Sequence, residues 1–534
     1  MSVNAAIAEW QTLLGSAHVL QGDAAQDAYG ADTTGQQRDL PAALRVTDSA
    51  QLPELMRIAQ RHRVPVYPIS TGHNWGYGSA LPASEGCVII DLSALRQILH
   101  FDPEMGVVTV QPGVTLGMLS EFLDSGGHAF MAPVTGAGAS CSLIGNALER
   151  GYGVTPHTDH FAAVTDLEAV LADGSSYRTA LAEAGGADLA RLFKWGVGPY
   201  SAGLFSQSGF GIVTRMSIVL APRPACVKIC LFNLKDDALL EPAVARIRLI
   251  LSRLPGTVGG INLMNRHRVL AMTAPYPRDR LDADGLIPAA LVQQLGRQYG
   301  IAPWTGFGTL YGTRRMVAAA QQEIRQALAG VGSRVLFLNA RHANTLLAAA
   351  RVIPGAGGRR LASTAATLAG SLELVAGRPN ETALPLAYWR HPTFMPASPA
   401  LPRNPARDGC GLIWYAPLVP MRPAGARAYV AMVTEVTRTH GMEPLLTFTS
   451  LSDKLFDSTV PLLFDRSDAR AVAAAEACYR ELTVRGKENG WFPYRVSVGA
   501  MPALLERLDA SAAFHTRLRA GIDPDNLMAP GRYR

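Results

Sequence analysis

The stretch 68–82, PISTGHNWGYGSALP, gathers residue types that can cradle a diphosphate. Such a group carries two negative charges and needs several backbone N–H donors close by. Gly72, Gly76 and Gly78 let the chain turn without Cβ clashes. Ser70, Thr71, Asn74 and Ser79 can add side-chain donors. Taken alone, the segment reads equally well as an ordinary loop after a strand. A second glycine-rich run, IGNALERGYG at 144–153, brings Gly145, Gly151 and Gly153, where the backbone could approach a ligand closely. Shortly after it, Asp159 in HTDH offers a carboxylate that could activate water. It could equally cap a helix or pair with Arg150 or His160.

Positioning these groups requires a framework, and the hydrophobic pattern supplies one. A short helix is predicted at 7–16 and an amphipathic helix at 51–63, with Leu52, Leu55, Met56 and Ile58 among its apolar positions. VPVYPIS, CVIIDLSAL and VVTVQPGVT read as buried strands, and TLGMLSEFLDSGG as a helix stopped by glycines. VTDLEAVLADGSSYRT reads as a hairpin about Asp173-Gly174, and FGIVTRMSIVLAPRP as a strand ended by prolines. Strands and helices do not alternate regularly, and no GxGxxG joins a strand to a helix, so a Rossmann fold is excluded.

Beyond Pro224 the character changes to a second α+β pattern. KICLFNL, FGTLYGT, SRVLFLNA, GLIWYAPLVP, PLLTFTSL and VPLLFD read as strands. LEPAVARIRLILSRL, RRMVAAAQQEIRQALAG and ARAVAAAEACYRELTVRGKENG read as helices. Residues 354–360 and 396–411 are expected to be loops, and DPDNLMAPGRYR a polar, turn-rich end. There is no internal repeat.

Composition bounds the function. A chain of 534 residues with 48% hydrophobic residues exceeds what one core needs. The net charge of +6 is small for this length, and no Lys/Arg block is interleaved with aromatics, which argues against nucleic-acid binding. The six cysteines form no CxxC pair. Cys226 and Cys230 lack a second ligand pair, so no metal site is expected. Neither a secretory signal nor a membrane-length apolar run is seen, and a cytoplasmic location is expected.

Four segments, in order, resemble the FAD-linked oxidases of the vanillyl alcohol oxidase and para-cresol methylhydroxylase family. They are PISTGHNWGYGSALP (68–82), IGNALERGYGVTPHTDHF (144–161), GPYSAGLFSQSGFGIVTRMSIVLAPRP (198–224), and the pair GWFPYRV (490–496) and DPDNLMAPGR (523–532). Together they span almost the whole chain. The resemblance implies an α+β fold: a methylhydroxylase-type FAD-binding domain built from both chain ends, and an α+β cap domain over the flavin. The implied boundaries are 1–224 for the FAD-binding domain, 225–488 for the cap and 489–534 for the returning segment.

The resemblance also implies roles for residues. FAD would lie against Pro68, Ile69, Ser70, Thr71, Gly72, His73, Asn74, Ser79, Ser142, Gly145, Asn146, Gly151, Gly153, Gly211, Ile212 and Val213. The family's phenol-binding pair of tyrosines and its arginine fall on Tyr77, Tyr494 and Arg495, with Arg532 as a further cation. Asp159 matches the acidic residue near flavin N5. The implied reaction is hydride removal from a 4-alkylphenol or 4-hydroxybenzylic alcohol through a quinone methide, then hydration or desaturation. Oxygen, or a small cytochrome or copper protein, would take the electrons, and a homodimer or larger assembly is expected.

Departures from the family pattern matter too. His157 stands where relatives commonly have tyrosine, so the substrate pocket is expected to differ. The segment where many relatives attach flavin to a cap histidine reads SDKLFDSTVPLLFD, with Asp457 and Ser458 where a histidine pair would lie. The family's tyrosine-linked position falls near Tyr388, one residue out of register. His73 occupies the place of the flavin-linked histidine of more distant berberine-bridge-type oxidases, and is the first candidate for covalent attachment. Two other functions stay open: an FAD oxidase of a different natural-product alcohol, and a flavin-free binding protein on the same fold.

Overall fold

The computed structural model describes residues 3–391, 402–505 and 509–533. The chain divides into two compact units. Unit 1 comprises Met1–Gly153, Asp159–Pro222 and Val496–Arg534, and unit 2 comprises Val154–Thr158 and Arg223–Arg495.

In unit 1, β1 (Val19–Gln21), β2 (Ala42–Arg45), β3 (Val66–Ile69) and β4 (Val88–Asp91) form a sheet in the order β1-β2-β4-β3. β2 and β3 run parallel to β4. Parallel strands are covered on both faces, which explains why VPVYPI and CVIID are unbroken apolar runs. The helix Leu52–His62 lays Leu52, Leu55, Met56, Ile58 and Ala59 on this sheet. The helix Val3–Leu14 packs beside it, and Trp10 donates Nε1–H to the Leu55 carbonyl at 3.1 Å.

A second sheet holds β5 (Ile98–Asp102), β6 (Val107–Val110), β8 (Val164–Val170), β9 (Ser176–Arg178) and β10 (Ile212–Val219). Its order is β5-β6-β10-β8-β9. β7 (Phe130–Met131) pairs separately with β11 (Ala221–Pro222). β8 and β9 form the hairpin read from Asp173-Gly174, where Asp173 Oδ1 accepts the Ser175 N–H at 2.8 Å.

The C-terminal stretch is more structural than its polarity suggested. Val66 donates its N–H to the Leu527 carbonyl at 2.8 Å, and Ala529 donates to the Val66 carbonyl at 2.8 Å. Met528 is thereby fully buried in the core of the first sheet. Asp523, itself buried, accepts the N–H groups of Leu527 and Met528 at 2.8 and 2.9 Å and pairs with Arg519 at 3.2 Å.

Unit 2 is built on one antiparallel sheet of β12 (Cys226–Leu234), β13 (Val258–Asn265), β14 (Trp304–Gly312), β15 (Ser333–Leu338), β16 (Cys410–Tyr415), β17 (Pro417–Pro420), β18 (Thr447–Ser450), β19 (Leu455–Asp465) and β20 (Phe492–Pro493). The order is β15-β12-β14-β13-β18-β19-β17-β20, with β16 also paired to β19. Helices Leu240–Arg253, Arg314–Ala327, Pro423–Thr439 and Ala469–Glu488 form a layer against it.

The structure corrects several local expectations. Residues 354–360, expected as a loop, open the helix Gly355–Val375 behind Pro354. The buried stripe Ala365, Leu368, Leu372 and Val375 outweighs the poor helix propensity of the helix's four glycines. GLIWYAPLVP is two strands, β16 and β17, broken at Ala416. The helices Arg266–Thr273, Ala289–Tyr299, Ala340–Val352 and Pro423–Thr439 were not anticipated. Of the loop expected at 396–411, residues 396–401 lie outside the described set. Among the described residues, no helix is long and apolar enough to cross a membrane, and no cluster of His, Cys, Asp and Glu could hold a metal.

Candidate functional site

In unit 1 the loop after β3 turns repeatedly through the left-handed region. Gly72, Gly76 and Gly78 have φ of 68°, 81° and 122°, and Ser79 has φ of 51°. At Gly78 a Cβ would come within 2.6 Å of Val498 Cγ2, so both conformation and space demand glycine there.

Two residues that sequence reasoning missed hold this loop, and a third, Thr34, bonds one of them. Gly76 donates its N–H to Thr33 Oγ1 at 2.7 Å, and Ser79 Oγ donates to Asp32 Oδ1 at 3.0 Å. Asp32 also receives the Thr34 N–H at 2.9 Å. Asp32, Thr33 and Thr34 are nearly solvent-free. The one signal in the sequence is the polar run ADTTG ahead of the glycine loop, and burial of such a run is invisible until the fold is known. Ser79, expected to face the cofactor, spends its hydroxyl on Asp32. Tyr77 and Ser79 both donate backbone N–H to the Asn74 carbonyl at 3.0 Å. The Tyr77 carbonyl in turn accepts the Val498 N–H at 3.0 Å.

His73 stacks on Trp75 with ring centroids 4.7 Å apart, and its Nδ1 lies 3.1 Å from Ser140 Oγ. Ser142 caps the short helix Leu143–Leu148 by accepting the Gly145 N–H at 3.0 Å, and its Oγ donates to the Pro112 carbonyl at 2.7 Å. A Cβ at Gly145 would sit 3.3 Å from Ser70 Oγ, so the two glycine-rich segments abut one another.

Other expected cofactor contacts are shared with packing. A Cβ on Gly151 would strike the Asn146 side chain, which bonds His160 Nδ1. A Cβ on Gly153 would come within 2.3 Å of the Val134 carbonyl. At Gly211 it would meet Phe205 and the Val170 carbonyl at 2.9 Å. Ile69, Ile212 and Val213 send their side chains into the core, and their backbones pair in the β3–β4 and β10–β8 ladders. Pro68 lies on β3, and Thr71 stands at the loop's entry.

Asp159 Oδ1 accepts the Ala162 N–H at 2.9 Å, and its backbone bridges to Tyr152. This bond serves a turn and uses one of the two carboxylate oxygens. Arg150 bonds Ser206 Oγ at 3.1 and 3.2 Å. Arg532 is closely engaged within unit 1. It donates to Tyr67 OH at 2.7 Å and to the Ser208 carbonyl at 3.1 Å, and forms an ion pair with Glu149. Burial opposes its charge. Glu149, Tyr67 and Tyr533 outweigh that and hold the guanidinium above its usual pKa.

In unit 2, Tyr494 follows β20 and donates its N–H to the Ala416 carbonyl at 3.4 Å. Arg495 follows it, and its charge reaches the buried Asp457 on β19. His157, also in unit 2, is exposed. Tyr388 donates its hydroxyl to Asp408 Oδ2 at 2.6 Å. Burial and that carboxylate push the Tyr388 phenol far above its ordinary range, which disfavours the phenolate a flavin link would need.

Loop 70–79 is a run of turns through the left-handed region that abuts the segment of Ser142 and Gly145. The family of FAD binding domains matches residues 41–180. The chain is 33% identical over 530 residues to 1'-carboxy-chondrochloren decarboxylase of Chondromyces crocatus, covering 99% of this chain and 96% of that one. It is 26% identical to the flavoprotein subunit of 4-cresol dehydrogenase [hydroxylating] of Pseudomonas putida, over 92% of this chain and 87% of that one. A crystal structure of p-cresol methylhydroxylase with substrate bound superposes with a TM-score of 0.86 at 25% identity, covering 99% and 96% of the two chains. The fold and these relatives define a flavin-dependent oxidoreductase that uses FAD. Specifically, the chain belongs to the vanillyl alcohol oxidase and para-cresol methylhydroxylase family.

Proposed function

We propose that the enzyme oxidises a para-substituted phenol, a 4-alkylphenol or 4-hydroxybenzylic alcohol, at the benzylic carbon. The observation that carries this reading is the retention of Tyr77, Tyr494 and Arg495 in their motifs, in a family whose 4-cresol dehydrogenase is 26% identical over 92% of this chain.

The chemistry asks for these residue types. A phenol ionises near pH 10, and only the phenolate pushes enough charge through the ring to release a benzylic hydride. Lowering that pKa to about 7 takes roughly 4 kcal/mol of preferential phenolate stabilisation. Hydrogen bonds to a charged group contribute roughly 1.5–3 kcal/mol each, so two tyrosine hydroxyls and one guanidinium suffice where one does not. FAD, when bound, would supply the hydride acceptor. Asp159 then takes a proton from the water that adds to the quinone methide. Oxygen, or a small cytochrome or copper protein, reoxidises the flavin. Anaerobic addition of 4-ethylphenol tests the reading: flavin absorbance is expected to bleach in the native enzyme. Bleaching is expected to slow at least tenfold in Tyr77→Phe and Tyr494→Phe. Unchanged rates in both variants would refute the phenolate site.

A second reading is favoured by the 33% identity to a carboxy-chondrochloren decarboxylase. If the substrate bears a carboxylate on the carbon next to the benzylic one, the quinone methide can lose CO2 instead of adding water. The C–C bonding pair returns to the ring, giving a 4-alkenylphenol, CO2 and two electrons on the flavin. Labelled CO2 released from a 3-(4-hydroxyphenyl)propanoate substrate would select this branch. A hydroxylated product would select the first.

We further propose His73 as the flavin attachment point, since Tyr388 is committed to Asp408 and the 452–465 segment has no histidine. Acid precipitation is expected to leave the yellow colour in the pellet of the native protein and release it from His73→Ala. Colour in the native supernatant would refute the link.

A further inference from the structure

In the sheet of unit 2, Phe448 of β18 and Phe456 of β19 stack toward Tyr429 of the helix Pro423–Thr439. Side chains alternate along a strand, so Thr447 and Thr449 of β18, with Asp457 and Thr459 of β19, take the opposite face. Met264 and Asn262 of β13 continue that face beside Thr447 and Thr449. On the other side Asp457 pairs with Leu418 of β17, and Leu418 with Phe492 of β20. Phe492 therefore shares the face, and so does Tyr494 two residues on, where the Tyr494 N–H still meets the Ala416 carbonyl.

Two polar atoms on this face are orphans. Asp457 Oδ1 and Thr447 Oγ1 are sealed from solvent and have no hydrogen-bond partner among the described residues. Their residues are 4% and 5% exposed, while Asn262, Thr449 and Thr459 around them are only half-buried, so the face is not closed over. A buried carboxylate oxygen and a buried hydroxyl left unpaired are costly and need a reason. Thr459 stands opposite Thr447 and two residues from Asp457, which makes Asp457 and Thr447 diagonal neighbours about 7–8 Å apart. One hydroxyl group between them can donate to Asp457 Oδ1 and accept from Thr447 Oγ1. A carboxylate fits badly there: β13, β14, β17 and β18 carry no basic or histidine side chain to meet it, and Asp457 repels it.

We infer that Asp457 and Thr447 bind a hydroxyl on the para side chain of the substrate, one carbon beyond the benzylic position. The preferred substrate is then a 4-(hydroxyalkyl)phenol and not a plain alkylphenol. This inference rests on the proposed phenol reading, in which Tyr494 meets the ring hydroxyl. Tyr494 lies two strands over from Asp457 and two residues along, roughly 12 Å on the sheet, a span matched by a phenol with a two-carbon chain. Both residues act by hydrogen bonding alone, and neither makes nor breaks a bond to carbon.

The test is steady-state turnover, by the FAD-loaded protein, of 4-(2-hydroxyethyl)phenol and 4-propylphenol, which differ only by a hydroxyl in place of a methyl. The native protein is expected to favour the alcohol by roughly tenfold or more in kcat/KM, because the alkane leaves both orphans unpaired. In Asp457→Ala that preference is expected to shrink to within about twofold, and in Thr447→Val, which keeps the branched shape of threonine, to fall by about threefold or more. 3-(4-Hydroxyphenyl)propanoate is expected to be the poorest of the three in the native protein and to gain on 4-propylphenol in Asp457→Ala. A native protein that treats alcohol and alkane alike, or variants that both keep the native preference, would overturn the inference. Failure of the underlying phenol reading looks different: none of the three phenols then bleaches the flavin, and the inference falls with it.

Discussion

Replacing Arg495 with methionine is expected to lower kcat/KM for a 4-alkylphenol by roughly 10- to 150-fold, the equivalent of one charged hydrogen bond of about 1.5–3 kcal/mol. FAD content is expected to stay unchanged, because Arg495 lies outside residues 41–180, which match the FAD binding domain family. Removing a cation near a buried carboxylate often destabilises a fold by stranding the carboxylate. Asp457, which the Arg495 charge reaches, escapes that penalty. Asp457 already titrates near neutrality, and without Arg495 it becomes more easily protonated. Stability at pH 6 is therefore expected to change little while activity collapses. Arg495→Lys should restore charge without the planar fork and recover only part of the rate. Steady-state kinetics on 4-ethylphenol, with thermal melts at pH 6, check both halves. A variant with native kcat/KM would remove Arg495 from the phenolate site.

The contrast between Arg495 and its surroundings shows what the sequence could reveal. Arg495 and Tyr494 could be singled out because they sit in a short motif, and the glycines of 72–78 were legible because positive φ values leave few other residue types. Strands β3 and β4 were legible because parallel, doubly covered strands are unbroken apolar runs. Asp32, Thr33 and Thr34 were not legible. Their function depends on burial beneath the glycine loop, and a polar run reads as solvent-exposed until its cover is known. The same blindness hid the helix Pro423–Thr439, whose internal glycine and initial proline resemble a turn, though its buried face runs through Ala426, Tyr429, Met432, Val433 and Val436. It also gave Asp457 no weight beyond the place of a missing histidine. A carboxylate becomes informative only when the strand register shows which face it takes.

Arg532 presents the opposite case: a residue matched to the family's substrate site by motif but tied by its contacts to the fold. Its guanidinium meets Glu149, Tyr67 and the Ser208 carbonyl, joining the C-terminal turn to β3 and to the segment after the helix Leu143–Leu148. Both partners of the ion pair are largely buried, with side-chain exposures of 15% and 10%. Arg532→Ala would leave Glu149 buried without its cation, a loss of about 3–5 kcal/mol. The variant is therefore expected to melt well below the native protein and to retain less FAD, since the cradle loop springs from the same β3 strand as Tyr67. Replacing both partners, Arg532→Met with Glu149→Gln, removes the stranded charge and should regain most of the stability. Thermal melts of the native, single and double variants measure this directly. The activity of the double variant then separates two roles. If Arg532 serves only the fold, recovery of stability brings recovery of 4-alkylphenol turnover. If it also steadies the phenolate, the refolded double variant stays slow. A single variant that melts with the native protein would show that the ion pair contributes nothing, and would return Arg532 to the substrate site alone.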